Sequence, residues 1–357
     1  MKRRVIYVLL ITTLLLLSGM QVNAETIEIS LEEMVGLALE ESIDFKIAHL
    51  EWQQAQLSYE KALADNLLTQ SAYNQRLAEL NLMKAEGAYK KSMAGVVINA
   101  VRRFSDVELA RQDICIKELR LQQSSKAEEL VLRKAAARSA SEFDVLEAKV
   151  NLAKSQFDLQ RSKDSLAEQV QALNIMLASE KYIGDGKLHF VSSDIKLSDV
   201  LNTVLESSPA IQEAEDNLEI AVMDLDRLLL DETPKLVLSE AQNKVDLAKL
   251  RLEQTRGNIT QEILAAYNGV TNALGSFEAS ESAYELQFKQ FGVMEGQVAA
   301  GLKTEDDLLG AKIALLEAER SIYETLSGYI TACLQLDEVS GGDVKQRLNN
   351  MTEASDD

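Results

Sequence analysis

Two prolines, two cysteines, two histidines and one tryptophan in 357 residues exclude several classes of protein at once. Proline breaks helix interiors, so a chain with only Pro209 and Pro234 can form very long uninterrupted helices. Cys115 and Cys333 are far apart and form no Cys-x-x-Cys pair, which leaves no zinc cluster or disulfide framework. Each sits among apolar residues, and each reads as a small buried thiol unless the two join as a disulfide in an oxidising compartment. His49 and His189 are too few for a metal site or a catalytic base, and His49, close to Trp52 on one helix, reads as packing. Phosphate loops, nucleophile elbows and dinucleotide fingerprints are absent, so we assign no catalytic residue, no metal ligand and no cofactor. Positive charge is also scarce: 37 Lys and Arg face 57 Asp and Glu, a net charge of −20. That balance argues against nucleic acid, whose phosphates demand basic patches. The acidity either keeps long solvated helix faces soluble or, around a channel, favours cations.

The one long apolar run is at the start. Lys2, Arg3 and Arg4 precede Val5 to Met20, and Val22-Asn23-Ala24 follows with small residues, the order of a secretory signal. The run is short for a spanning helix, so we expect residues 1–24 to be a removed leader rather than an uncleaved anchor, on an exported protein of the cell envelope.

What the chain does contain is itself twice. Ile29, Leu31, Leu39, Glu40, Ser42, Ala48, Ala55 and Asp65 recur, all at one constant offset, as Ile195, Leu197, Leu205, Glu206, Ser208, Ala214, Ala221 and Asp231. Val107, Ala110, Glu142, Asp144, Leu146, Ala148, Lys149 and Leu152 recur at a second, slightly shorter offset, as Val270, Ala273, Glu305, Asp307, Leu309, Ala311, Lys312 and Leu315. Units that cannot bury their apolar faces alone imply a stacked or closed array. We divide the chain into a signal peptide (1–24), a first helical repeat (25–180), a linker (181–194), a second repeat (195–340) and a disordered acidic tail (341–357).

The patterning predicts helices near 31–41, 43–64, 70–137 and 142–178, then 197–206, 209–230, 236–300 and 305–337. A helix of some 65 residues would be roughly 100 Å long, which suits a coiled coil or tube rather than a globule. In the fourth helix of each repeat, apolar residues step by seven: Val145, Leu152, Leu159, Leu166 and Leu173, then Leu308, Leu315, Ile322, Tyr329 and Leu336. Small residues fill the column between them (Ala148, Ser155, Ser162; Ala311, Ala318, Thr325, Ala332), so neighbouring backbones can approach closely. The fold class is all-α, an internally duplicated long-helix coiled coil. The linker holds Gly184-Asp185-Gly186 and the apolar stretch Leu188 to Val191, which could add a strand or lie along the outside.

The best-defined motif is the turn after each very long helix, Ala137 to Ala148 and Ala300 to Ala311. Ser141 and Thr304 read as N-caps, with Asp144 and Asp307 placed to complete a capping box, and Gly301 as a left-handed helix stop. In Gly301 to Ala311 the sequence resembles the turn Gly-Leu-x-Ser/Thr-x-x-Asp-Val/Leu-Leu-x-Ala of the TolC family of outer-membrane efflux and secretion ducts. The first turn fits only from Ser141 on, because Arg138-Ser139 replaces Gly-Leu. Ser30-Leu31-Glu32-Glu33 and Ile263-Leu264-Ala265-Ala266-Tyr267 add to the likeness, with Phe104 in Tyr267's place.

The resemblance implies a TolC-like α-barrel protomer, three copies of which form a twelve-helix tube. It also implies that the turns dock the hairpins of a periplasmic adaptor (membrane fusion) protein that serves an inner-membrane pump of a tripartite efflux or type I secretion system. Carried over by position, Arg138, Ser139, Ser141, Asp144, Gly301, Leu302, Thr304 and Asp307 would be the docking and gating residues. The family places two membrane-crossing strands per repeat between the second and third helices. Here the gaps, 65–71 and 231–236, are too short for strands of roughly 9–11 residues, so little or no β-barrel is expected. An aromatic content of 5% agrees with that. The competing reading is a secreted coiled-coil scaffold or binding protein without conduit activity.

Overall fold

The computed structural model describes residues 27–179, 182–188, 190, 195–230 and 233–353; the leader, His189, Val191 and Asp231 lie outside them. The chain runs β1 (Ile27–Ile29), α1 (Leu31–Glu41), α2 (Ile43–Thr69), α3 (Ala72–Ala136), α4 (Glu142–Met176), β2 (Tyr182–Gly184), α5 (Leu197–Ser207), α6 (Pro209–Leu230), α7 (Lys235–Ala299), α8 (Glu305–Ser340) and α9 (Val344–Glu353). The starts of α5 and α6 follow those of α1 and α2 by the longer of the two sequence offsets, and the starts of α7 and α8 follow those of α3 and α4 by the shorter. Both α3 and α7 have 65 residues.

Local chemistry sets the boundaries. Ser30, Ser42, Ser71, Ser141 and Thr304 each cap a helix with a side-chain oxygen. Pro209 occupies the first position of α6, where its missing N–H costs nothing. The α2 stop lies later than the break expected at Asp65-Asn66. Asn66 stays helical and reaches over the turn, its side chain accepting from Ser71 N (2.8 Å) and donating to Ser71 O (2.9 Å), while Gln70 takes the left-handed conformation. Only Gln70 and Ser71 then separate α2 from α3, and the connection from α6 to α7 is also a short one, between Leu230 and Lys235. Neither connection can hold a membrane-crossing strand.

The helices form an open layer. Over the half that ends in the long-helix turns, packing runs α4–α3–α8–α7; over the other half it runs α2–α3–α6–α7. The sevenfold columns of α4 and α8 face their hairpin partners, and the small residues between them permit close contacts. Ser155 meets Ser124 at 2.7 Å, and Thr325 meets Ser280 at 2.7 Å. Along the seam between the repeats, α3 supplies bases and the second repeat supplies acids. Arg76 pairs with Asp216 (2.7 Å) and Glu219 (3.1 Å), Lys84 with Glu213 (3.2 Å), Lys126 with Glu305 (3.6 Å), and Arg120 with Glu317. Burial pushes the Asp216 carboxyl above the usual range, partly offset by the Arg76 charge.

The main core lies at mid-length, where α1, α9 and the linker wrap the long helices. Met34, Val35 and Ala38 of α1 meet Val97, Val101 and Phe104 of α3, Leu173 of α4 and Tyr329, Leu334 and Leu336 of α8. The linker does add a strand, but at Tyr182–Gly184, paired in parallel with β1, while Phe190 stacks on Phe277 at 4.7 Å. Its glycines are required by contact. A Cβ on Gly184 would lie 2.7 Å from the Phe104 ring, and Gly186, at φ +74°, would put one 2.5 Å from the Glu108 carboxylate. His49 and Trp52 pack with Tyr89, as expected of that pair. Both cysteines are free thiols, Cys333 buried and Cys115 half-buried.

The tail corrects the sequence reading. That reading expects disorder over 341–357, yet Val344–Glu353 is the helix α9, while 354–357 lie outside the described residues. Gly341, at φ 72°, ends α8 and turns the chain back; Val344 and Leu348 enter the core, and Arg347 grips Asp337 at 2.5 and 3.0 Å. Val344, Leu348 and Met351 do fall at helical spacing, but three apolar residues among polar neighbours give a weak signal. Replacing the fully buried Leu348 by Ala should cost about 2–5 kcal/mol in urea denaturation. A value near zero would mean that α9 does not hold the core together.

Candidate functional site

The two long-helix turns lie at one end of the molecule, because α3 and α8 run side by side there: Ile116 packs with Leu309 and Ile313, and Lys126 reaches Glu305. Each turn closes the same way. Ser139 N donates to Lys134 O at 2.8 Å in the first, and Leu302 N donates to Gln297 O at 2.8 Å in the second. The pivot between them is left-handed, at Arg138 (φ 60°) and at Gly301 (φ 72°). Glycine adopts this conformation without penalty and arginine does not, so the first turn carries strain that the second lacks.

A capping box then opens each following helix. Ser141 Oγ accepts from Asp144 N (3.1 Å) while Asp144 Oδ2 accepts from Ser141 N (2.8 Å). Thr304 Oγ1 accepts from Asp307 N (3.2 Å), and Asp307 Oδ2 accepts from Thr304 N (2.9 Å) and from the Thr304 hydroxyl (2.8 Å). The backbone N–H of the cap, then its hydroxyl, holds each carboxyl below the ordinary aspartate range. All eight residues singled out in the sequence therefore lie in these two turns. Their side chains do not converge on one point. They form two capped, solvent-facing corners, with Leu302 and Phe143 exposed beside them.

Sequence reasoning missed what lies between the corners. A groove of about 780 Å³ runs between α3 and α4 towards the start of α8. Small residues line its floor (Ser124, Ala127, Ala148, Ser155, Gly310), and its walls carry both charge signs: Lys117, Arg120, Lys134 and Lys154 against Asp144, Glu147 and Asp158. The small column of α4 was visible in the sequence; its apposition to Gly310 needed the α3–α8 contact. Among the described residues no group of His, Cys, Asp and Glu could hold a metal ion. No helix there is long and apolar enough to cross a membrane.

No protein-family model matches the sequence, and no curated protein does. Solved structures do share its fold. CusC, from a study of transmembrane channel formation, aligns at TM-score 0.63 and 16% identity over 92% of this chain and 96% of that one. The CmeC outer membrane channel of Campylobacter jejuni aligns at 0.62 and 14% over 96% and 94%. A membrane protein from Pseudomonas aeruginosa aligns at 0.63 and 14% over 89% and 92%. The fold is thus that of the TolC-like helical protomer, which these solved structures share.

Two predictions concern the turns. Arg138→Gly should stabilise the protein by about 1 kcal/mol, and Gly301→Ala should destabilise it by about as much, both read from denaturant midpoints. The depressed carboxyls contribute stability that is present above the unfolded aspartate pKa and is lost as pH falls through the folded value. The gap in melting temperature between the natural chain and Asp307→Asn should therefore be widest at neutral pH and close in acid. A pH-independent gap would contradict the cap.

Proposed function

We propose that this chain is a subunit of an export duct of the cell envelope, a homotrimer whose helices enclose a conduit. The observation that carries the reading is the open layer. The helices α2 and α4 form one edge and α7 the other, and each edge keeps large apolar residues in solvent, among them Leu57 and Phe157 on one side and Leu250 and Val293 on the other. A soluble monomer rarely presents apolar rows along two opposite edges. Copies joined edge to edge, head to tail, form a ring when the rotation closes.

The capped corners would form the docking end. Their backbone is fixed by matching hydrogen bonds, and they present Leu302 and Phe143 next to a groove floored with small residues, which suits an α-helical hairpin of an adaptor protein. That adaptor would link the duct to an inner-membrane pump, in an efflux or type I secretion assembly. The CusC and CmeC structures, channels of the same fold, support the conduit reading. With short connections in place of membrane-crossing strands, the tube would meet the outer membrane through another component.

Size-exclusion chromatography with light scattering should give three chains per particle. Gly301→Ala with Asp307→Ala should lower adaptor binding and export while the particle stays intact. A monomer at all concentrations would favour the scaffold reading instead. Unchanged export, with only local stability altered, would leave the turns as structural corners.

A further inference from the structure

The two hairpins at the end opposite the long-helix turns are not level. Arg76 of α3 pairs with Asp216 and Glu219 of α6, and Lys84 pairs with Glu213, which fixes how the two helices lie against each other. From Arg76, α3 continues only to Ala72, where the tight Gln70-Ser71 turn joins it to α2. From Glu219, α6 continues to Leu230. At 1.5 Å per residue, the α6–α7 hairpin overhangs the α2–α3 hairpin by roughly 10 Å.

The overhang is apolar where it ends. Leu230 is 84% exposed, Leu236 74%, Leu229 58% and Val237 37%. Successive residues on a helix point about 100° apart, so Leu229 with Leu230, and Leu236 with Val237, spread apolar surface around the tip rather than along one stripe. The shorter hairpin closes differently, with Asn66 spanning to Ser71 through two hydrogen bonds. Copies joined edge to edge do not cover the overhang. A neighbour brings α2 towards α7, and α2 stops at Thr69, level with the shorter hairpin.

Charge and area decide what can cover it. Between residues 224 and 240 the sequence has five acids and two bases, and one of those bases, Arg227, is held by Asp224 at 2.6 Å. Two such tips meeting end to end would bring like charges together, and anionic headgroups would repel them as well. The apolar surface of one tip is on the order of a few hundred Å², below the roughly 1,000 Å² that a specific protein interface needs. A bilayer asks for no matching shape, and shallow insertion scales with apolar area. Resting on the duct reading for which end faces the membrane, we propose that the α6–α7 tip seats the tube on a bilayer of zwitterionic headgroups, with Leu229, Leu230, Leu236 and Val237 entering the boundary between headgroups and acyl chains. Three tips in one particle act together, so insertions that are weak singly add up. The tip does not cross the bilayer; passage through it stays with another component.

Flotation of the full exported chain with phosphatidylcholine vesicles tests this. The natural chain should rise with the vesicles. Leu230→Ser with Leu236→Ser should lower the partition coefficient at least about tenfold, with helical content unchanged by circular dichroism. Leu67→Ser, at an exposed position of the shorter hairpin, should leave it unchanged. Phosphatidylglycerol vesicles should bind less at low salt, and about 0.5 M NaCl should narrow the gap. As a second readout, Leu236→Trp in a Trp52→Phe background should shift its emission to the blue when phosphatidylcholine vesicles are added. Flotation that survives the double substitution, or an emission that vesicles do not move, would overturn the proposal. So would a trimer that stays in the dense fraction, which leaves the tip to a protein partner, or a six-chain particle split by the double substitution, which assigns it to a second particle; the duct reading stands in both cases. A monomer that floats through Leu230 and Leu236 would overturn the duct and keep the lipid contact.

Discussion

Two helices of 65 residues have to find partners along roughly 100 Å, and the structure follows from how α3 finds them. It packs against both repeats along its length: α2 and α4 on its own side, α6 and α8 on the other. A helix of this length cannot be covered by a single compact core, so its neighbours succeed one another along it. Near the turns the contact is the Ile116, Leu309 and Ile313 cluster; at mid-length it is the main core; beyond that it is Leu80 with the Arg76 and Lys84 ion pairs. The result is a sheet of helices one layer thick, in which each edge helix lacks the neighbour that its counterpart has.

Stability is concentrated at mid-length. There α1, α9 and the short β1–β2 pair clamp the long helices, and glycines let the linker lie directly on Phe104 and Glu108. Away from that girdle, the two hairpin ends rely on smaller apolar contacts (Ile116, Leu309 and Ile313 at one, Leu80 at the other), small-residue columns, ion pairs and caps.

Much of the fold was legible because its signals are local. The caps at Ser141 and Thr304, the proline at the start of α6 and the sevenfold columns of α4 and α8 depend on residues within a turn or two of one another. The turn residues were legible for the same reason, and Arg138 was recognisable as a departure from glycine before its φ of 60° was known. The groove between the turns was not legible, since Lys117 and Lys154 share it only through tertiary packing. Nor was α9, whose helix is secured by Asp337 and by core space that α1, α3 and α8 leave open.

The sequence by itself determined the helices of the two repeats, with only the end of α2 misplaced, their duplication and the short connections that leave no room for strands, because periodicity, capping and proline placement act over a few residues. Only the tertiary structure decided the order of helices in the layer, which repeat supplies acids to the seam, and which apolar rows stay in solvent. A heptad records that one face is apolar but not what covers it, and Leu50 and Leu173 look alike until packing buries one and leaves the other exposed.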